Sequence, residues 1–165
     1  MTQQEFKILF DSYFDSVRSY IYYRCSDMDL ASDIAQEVFM KIWEKQLMPD
    51  KNKEKGLLYK MANDLFISHY RHQMVELNYS QSIVVEQSEP SPDTGLDYEE
   101  LTQTYQRALS EMPEGQRVAF LMSRTEELKY AEIAERLQIS VKAVEKRITN
   151  ALSHLRAKLS IYETN

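Results

Sequence analysis

The chain has 165 residues with only three glycines and four prolines, a shortage of turn-formers that argues against sandwiches, barrels and Gly-rich nucleotide loops and favours helix. Its one cysteine, Cys25, can form neither an internal disulfide nor a CxxC metal knuckle, so packing must hold the fold, in what is expected to be a reducing compartment. No apolar run reaches the roughly 18 residues of a membrane span and the N-terminus lacks the basic-then-apolar order of an export signal, so no membrane insertion is expected and the cytoplasm is the expected location. The net charge of −6 is unevenly placed: residues 1–73 sum to −1, residues 74–100 carry seven acidic and no basic side chains, and residues 101–165 sum to +2.

In chain order, Phe6, Leu9, Phe10, Tyr13, Phe14, Val17, Tyr20 and Ile21 follow the three-and-four spacing of an amphipathic helix. A second helix opens near Asp27 or Asp29, either of which suits a cap, and carries Leu30, Ile34, Val38 and Ile42 on one stripe until Pro49 stops it. Its outward face then holds Asp33, Gln36, Glu37, Met40, Lys41 and Glu44. An exposed methionine and amide among charges suit a partner surface as well as they suit solvent. A lysine-rich loop (Lys51, Lys53, Lys55) and Gly56 lead into a third helix, about 57–73, with Leu58, Met61, Leu65 and Ile67 to Ser68 toward its inner side. Tyr70 reads as a core residue rather than a stacking platform.

Residues 74–97 hold two of the four prolines and no sustained periodicity, and they read as an acidic flexible linker. A short strand at Ser82 to Val85 would lack a partner. From Tyr98 onward, helices carry Leu101, Tyr105, Ala108, Leu109 and Met112 up to Pro113, then Val118, Phe120, Leu121 and Met122, then Tyr130 to Leu137. After a tight turn at Gln138 and Ile139, Ser140 caps a long last helix by reaching the amides of Lys142 and Ala143. With Ile148 at zero and about 100° per residue, Val144, Ala151, Leu152, Leu155 and Leu159 form its buried stripe. Ala143, Lys146 and Asn150 lie opposite, flanked by Lys142, Thr149 and Arg147. Residues 140–158 carry five basic side chains against Glu145, placed where a recognition helix would meet phosphates and base edges. The expected class is therefore all-α: two small helical domains, 1–73 and 98–165, on an acidic linker, the second a helix-turn-helix domain.

These segments resemble the bacterial sigma factors of the extracytoplasmic-function group, within the sigma-70-like family. YAEIAERLQISVKAVEKRITNALSHLRAKL (130–159) is similar to the family's fourth conserved region, and ALSEMPEGQRVAFL (108–121) to the Leu-Pro-x-x-x-Arg segment before it. ASDIAQEVFMKIWEK (31–45) resembles the polymerase-docking part, and LYKMANDLFISHYRH (58–72) the promoter-opening part. Departures exist: Gln138 stands where a turn glycine is usual, Lys129 replaces a hydroxyl cap, and Leu57, Asp64 and Ser68 replace tryptophan, asparagine and aspartate.

The resemblance implies a non-enzyme that binds core RNA polymerase and promoter DNA and directs initiation, with an anti-sigma partner by family habit and no cofactor. It implies polymerase contacts at Asp33, Gln36, Glu37 and Lys41. It implies minus-ten contacts at Lys60, Asn63, Asp64, Ser68, His69, Arg71 and His72, a polar, aromatic and basic mix suited to unpaired bases. It places minus-thirty-five contacts at Ser140, Lys142, Ala143, Lys146, Arg147, Thr149 and Asn150. The linker would thread toward the RNA exit path, its negative charge standing in for a nucleic-acid backbone. His69 and His72 lack a third ligand at helical spacing, so no metal is expected. A free-standing helix-turn-helix regulator with a sensing or dimerisation domain is the competing reading. An enzyme is disfavoured, because no nucleophile–base set, phosphate loop or carboxylate pair stands at suggestive spacing.

Overall fold

A computed structural model of the chain describes residues 1–79 and 96–163, with side chains described over 1–70 and 98–160. Every element among them is a helix: α1 (Gln3–Cys25), α2 (Met28–Glu44), α3 (Glu54–Tyr79), α4 (Leu96–Glu111), α5 (Glu114–Thr125), α6 (Tyr130–Leu137) and α7 (Val141–Glu163). The expected all-α class is what forms. The helix ends differ from expectation in places. α3 begins before Gly56 and runs on to Tyr79, and α4 begins at Leu96, so residues 74–79 and 96–97 of the expected linker are helical. The strand considered at Ser82–Val85, and the rest of the linker, lie outside the described residues.

Local chemistry sets the ends. Thr2 and Glu5 close a reciprocal capping box on α1: the Glu5 amide donates to Thr2 Oγ1 at 3.1 Å and the Thr2 amide to Glu5 Oε2 at 2.7 Å. The Thr2 hydrogen bonds pull the Glu5 carboxyl below its usual range. Asp27 caps α2 by accepting from the Leu30 amide at 3.1 Å. Among the described residues, Ser26, Gln46, Glu127 and Gln138 adopt the left-handed region without being glycine. Gln46 therefore leads the chain out of α2 before Pro49 is reached.

Two buried clusters form. The smaller joins Ala108, Leu109 and Met112 of α4 to Phe120 of α5 and Ala151 and Leu155 of α7. His154 Nε2, 3.0 Å from the Ala108 carbonyl oxygen, and the Lys158–Glu111 pair at 3.2 Å edge the same α4–α7 seam. The larger runs through Val17, Tyr20 and Ile21 of α1, Ile34, Val38, Phe39 and Ile42 of α2, and Leu58, Tyr59, Ala62 and Phe66 of α3. It then continues without a break into Val118, Ala119, Met122, Ile133, Ala134, Val144 and Ile148 of α5, α6 and α7. The larger cluster thus draws on the first three helices and on α5, α6 and α7, while α4 contributes to the smaller one.

Three positions expected toward the core are exposed: Leu152, Tyr70 and Ser68, the last turned to the outer side of α3. Leu152 is 39% exposed, because the packed sector of α7 is centred on Val144, Ile148, Ala151 and Leu155 and leaves Leu152 on its outer flank. Tyr70 is 51% exposed, its ring lying over that of Phe66 at 6.0 Å. On α3 it is Leu58, Tyr59, Ala62 and Phe66 that face inward, with Met61 and Leu65 only partly covered.

One half-buried carboxylate is poorly satisfied. Glu126, where α5 ends, has a buried Oε2 without a hydrogen-bond partner, and desolvation raises its pKa against the opposing pull of Arg136. A raised folded-state pKa means that the native state holds the proton more tightly than the unfolded chain, so stability falls as pH rises through the carboxylate range. Glu126→Gln is expected to raise the melting temperature at pH 7, and the gain should vanish below about pH 4, as thermal unfolding across pH would record. For the core, Ile148→Ala is expected to cost about 2–5 kcal/mol in urea unfolding, and Leu152→Ala about 1 kcal/mol or less.

Candidate nucleic-acid interface

The helix-turn-helix is built by its turn. α6 is closed by Gln138, whose left-handed backbone (φ 55°) lets the Ile139 amide donate to the Ala134 carbonyl at 3.1 Å. A non-glycine residue in that region costs about 1 kcal/mol. At the start of α6, Lys129 offers no hydroxyl, and half a capping box remains: its amide donates to Glu132 Oε1 at 3.2 Å. Ser140 then caps α7, accepting from Ala143 alone at 3.0 Å; the second expected donor, Lys142, does not bond to it.

From that start, Ser140, Lys142, Lys146, Thr149 and Asn150 are exposed and Ala143 is half-buried. Arg147 departs from the set. It is half-buried and lies across Gly115 of α5, where an added Cβ would come within 3.3 Å of its Nη1.

On α3, Lys60, Asp64 and Ser68 are exposed. Asn63 is half-buried, and its Oδ1 accepts from Arg24 Nη1 at 2.6 Å. The same guanidinium lies 4.3 Å above the Phe66 ring. His69 Nε2 stands 3.4 Å from Glu37 Oε2 on α2. Arg71 and His72 fall on α3, with side chains outside those described. Lys60, Asn63 and Arg147 all line one cavity of about 240 Å³, together with Tyr20, Tyr59, Arg136 and the turn residues Gln138 and Ile139. Two sets of residues expected to meet different DNA segments therefore face each other. Burial pushes the Tyr59 hydroxyl above its usual range, while Arg136, whose Nη1 donates to it at 3.2 Å, pulls the other way. Burial likewise pushes the Tyr23 hydroxyl up to about 12.

On α2, Asp33, Gln36 and Met40 are exposed, while Glu37 and Lys41 are half-exposed and paired at 3.6 Å. Gln36 and Met40 form one bank of an apolar groove of about 410 Å³ over Phe6, Phe10, Phe39 and Trp43. Its rings interlock: Phe6 and Trp43 are 5.1 Å apart, Phe10 and Phe39 5.2 Å. Sequence reasoning placed Phe6 and Phe10 on a core stripe and missed that they meet α2 at a surface groove; Trp43, next to the stripe residue Ile42, was the available signal.

The family profile described as Sigma-70 region 2 matches residues 9–75, and that described as Sigma-70, region 4 matches residues 102–155, in that order along one chain. It belongs to the sigma-70-like sigma factors of the extracytoplasmic-function group. Among curated proteins, this sigma factor is 24% identical over 151 residues to the ferric citrate uptake sigma factor FecI of Escherichia coli, covering 90% of this chain and 87% of that one. It is 26% identical over 135 residues to the ECF RNA polymerase sigma factor SigM of Bacillus subtilis, covering 80% and 81%. Its fold matches the sigma factor RpoE of Bartonella quintana, solved in complex with the anti-sigma factor NepR, at a TM-score of 0.65 and 22% identity, covering 96% and 98% of the two chains. No helix among the described residues is long and apolar enough to cross a membrane.

Removing the cap that starts α7 is expected to weaken it: Ser140→Ala should lower unfolding free energy by about 1 kcal/mol, measured by urea titration.

Proposed function

We propose that this sigma factor binds core RNA polymerase, that α7 reads the minus-thirty-five element through the major groove, and that α3 recognises the minus-ten element and helps to melt it. In this reading residues 1–73 dock on polymerase and open the promoter, 74–97 connect, and 98–165 bind the upstream element. The chemistry belongs to the polymerase, so the chain works as a non-enzyme in the cytoplasm. The observation that carries the reading is α7 itself: capped by Ser140 and seated by Val144 and Ile148, it turns Lys142, Lys146, Thr149 and Asn150 outward from a helix-turn-helix. The two family regions, one matched in each half of the chain, support it. Asp33, Gln36, Glu37 and Lys41 are the proposed polymerase contacts. The similarity to RpoE, solved with NepR, extends the proposal to an anti-sigma partner.

Affinity for DNA should come mainly from tethering. Five basic side chains along α7 make a small salt-dependent contribution, and the acidic stretch 74–100 opposes it. Polymerase supplies the missing effective concentration. A free-standing regulator would instead bind its site tightly alone.

Transcription-start mapping with purified chain and core polymerase is expected to yield a defined promoter set, whereas the chain alone should give weak, salt-sensitive mobility shifts on those promoters. Tight sequence-specific binding without polymerase would favour the regulator. Lys146→Ala is expected to cut promoter use severalfold with an unchanged melting temperature. Asp33→Ala with Gln36→Ala should weaken core association with the fold intact, as measured by co-elution.

A further inference from the structure

The face that α7 turns to solvent is not uniformly basic. Val141, Lys142, Glu145, Lys146, Thr149 and Asn150 are exposed, Val144 and Ile148 are buried, and Arg147 is half-buried against Gly115 of α5. At about 100° per residue from Ile148, the exposed arc runs from about 20° at Val141 to about 200° at Asn150. Its midline passes between Thr149 and Lys142, so Glu145, at about 60°, lies inside the arc. The arc resolves into two rows whose members are one turn apart. Lys142, Lys146 and Asn150 make one, suited to phosphates and to bases that offer acceptors. Val141, Glu145 and Thr149 make the other, which holds no cation and has a carboxylate at its centre.

The fold gives Glu145 nothing to do. It is the fifth residue of α7, beyond the first turn, where a negative charge would favour the helix N-terminus and where no acidic residue stands. Among the described residues its carboxylate makes no hydrogen bond or ion pair, although Lys142 lies three positions before it. On a face that meets a polyanion it opposes binding, offsetting one of the five basic charges between 140 and 158. Phosphate contacts position a protein on DNA and base contacts specify the sequence, so a side chain that works against the first belongs with the second.

An ionised carboxylate can only accept hydrogen bonds. In the major groove guanine offers N7 and O6 and thymine O4, all acceptors, which repel it; adenine offers a donor at N6 beside an acceptor at N7. Cytosine alone offers the N4 amino donor with no acceptor on the same base edge. We propose that Glu145 is a specificity-determining residue of the minus-thirty-five contact, accepting from the N4 amino group of one cytosine in the upstream element and rejecting the other bases at that position. The inference rests on the reading of α7 as the recognition helix and deepens it by naming a base. Val141 and Thr149, one turn to either side, bring methyl groups to the same row and no competing charge.

The test is selection from a promoter library randomised across the upstream element and transcribed by holoenzyme, assembled from core RNA polymerase with the unsubstituted chain, with Glu145→Gln or with Glu145→Ala. The unsubstituted chain is expected to enrich cytosine at one position by about fivefold or more. Glu145→Gln keeps the size of the side chain and removes its charge, and a glutamine amide pairs with N6 and N7 of adenine, so preference at that position should move to adenine. Glu145→Ala should leave the position without preference, and the rest of the element should be read as before by both variants. Base preferences unchanged in the variants overturn the proposal, as does a responsive position that favours any base but cytosine in the unsubstituted chain. A uniform gain in transcription from all sequences also overturns it, because relief of phosphate repulsion alone would give that. If the unsubstituted holoenzyme shows no preference anywhere in the upstream element, the reading of α7 as the recognition helix falls instead, and the two failures are told apart.

Discussion

The end of α1 is the point on which the molecule turns. Its last carbonyls, on Tyr23 and Arg24, have no intrahelical donors left to accept from, and both are taken by one guanidinium, Arg117. That side chain also donates to Leu109, Ser110 and Met112 carbonyls where α4 ends, so a single planar cation neutralises two helix C-termini at once. The five donors of an arginine fork allow this; a lysine could not reach both sets in one plane. Arg24, one residue further, finishes the junction by pairing with Glu114, bonding Asn63 and stacking over Phe66. The apolar seam on either side is aligned by these contacts.

Much of the fold could be read before any coordinates. The stripe of α2 was legible because Ile34, Val38 and Ile42 repeat cleanly, and its outward face follows from geometry alone. The helix-turn-helix was legible because Ser140 announces its helix and the basic side chains fall opposite Ile148. Less legible was anything set by a partner element. Leu152 satisfies the same angular criterion as Leu155, and the placement of α4 and α5 decides that Leu155 is covered while Leu152 is 39% exposed. Arg147 belongs with the recognition face by angle, yet α5 approaches through Gly115 and draws it sideways.

The shared core had no signature in the sequence. An apolar face turned to a separate body and one turned to its own domain have identical periodicity, so Val17, Tyr20 and Tyr59 gave no sign of which partner they meet. The departure at Gln138 acquires a reason from the seam. A glycine there would suit the left-handed turn better, but it would lose the side chain that covers Gly56. The local backbone cost is offset by a contact between helices distant in sequence, a conflict between local preference and tertiary packing of the kind expected where function sits.

The chain reads promoter DNA only as part of a larger machine. Fluorescence anisotropy of labelled promoter DNA titrated with the chain, alone and together with core polymerase, measures that dependence directly. Weak, salt-sensitive binding by the chain alone that becomes tight and sequence-specific when core polymerase is added is the predicted result. Equally tight sequence-specific binding with and without polymerase would contradict it.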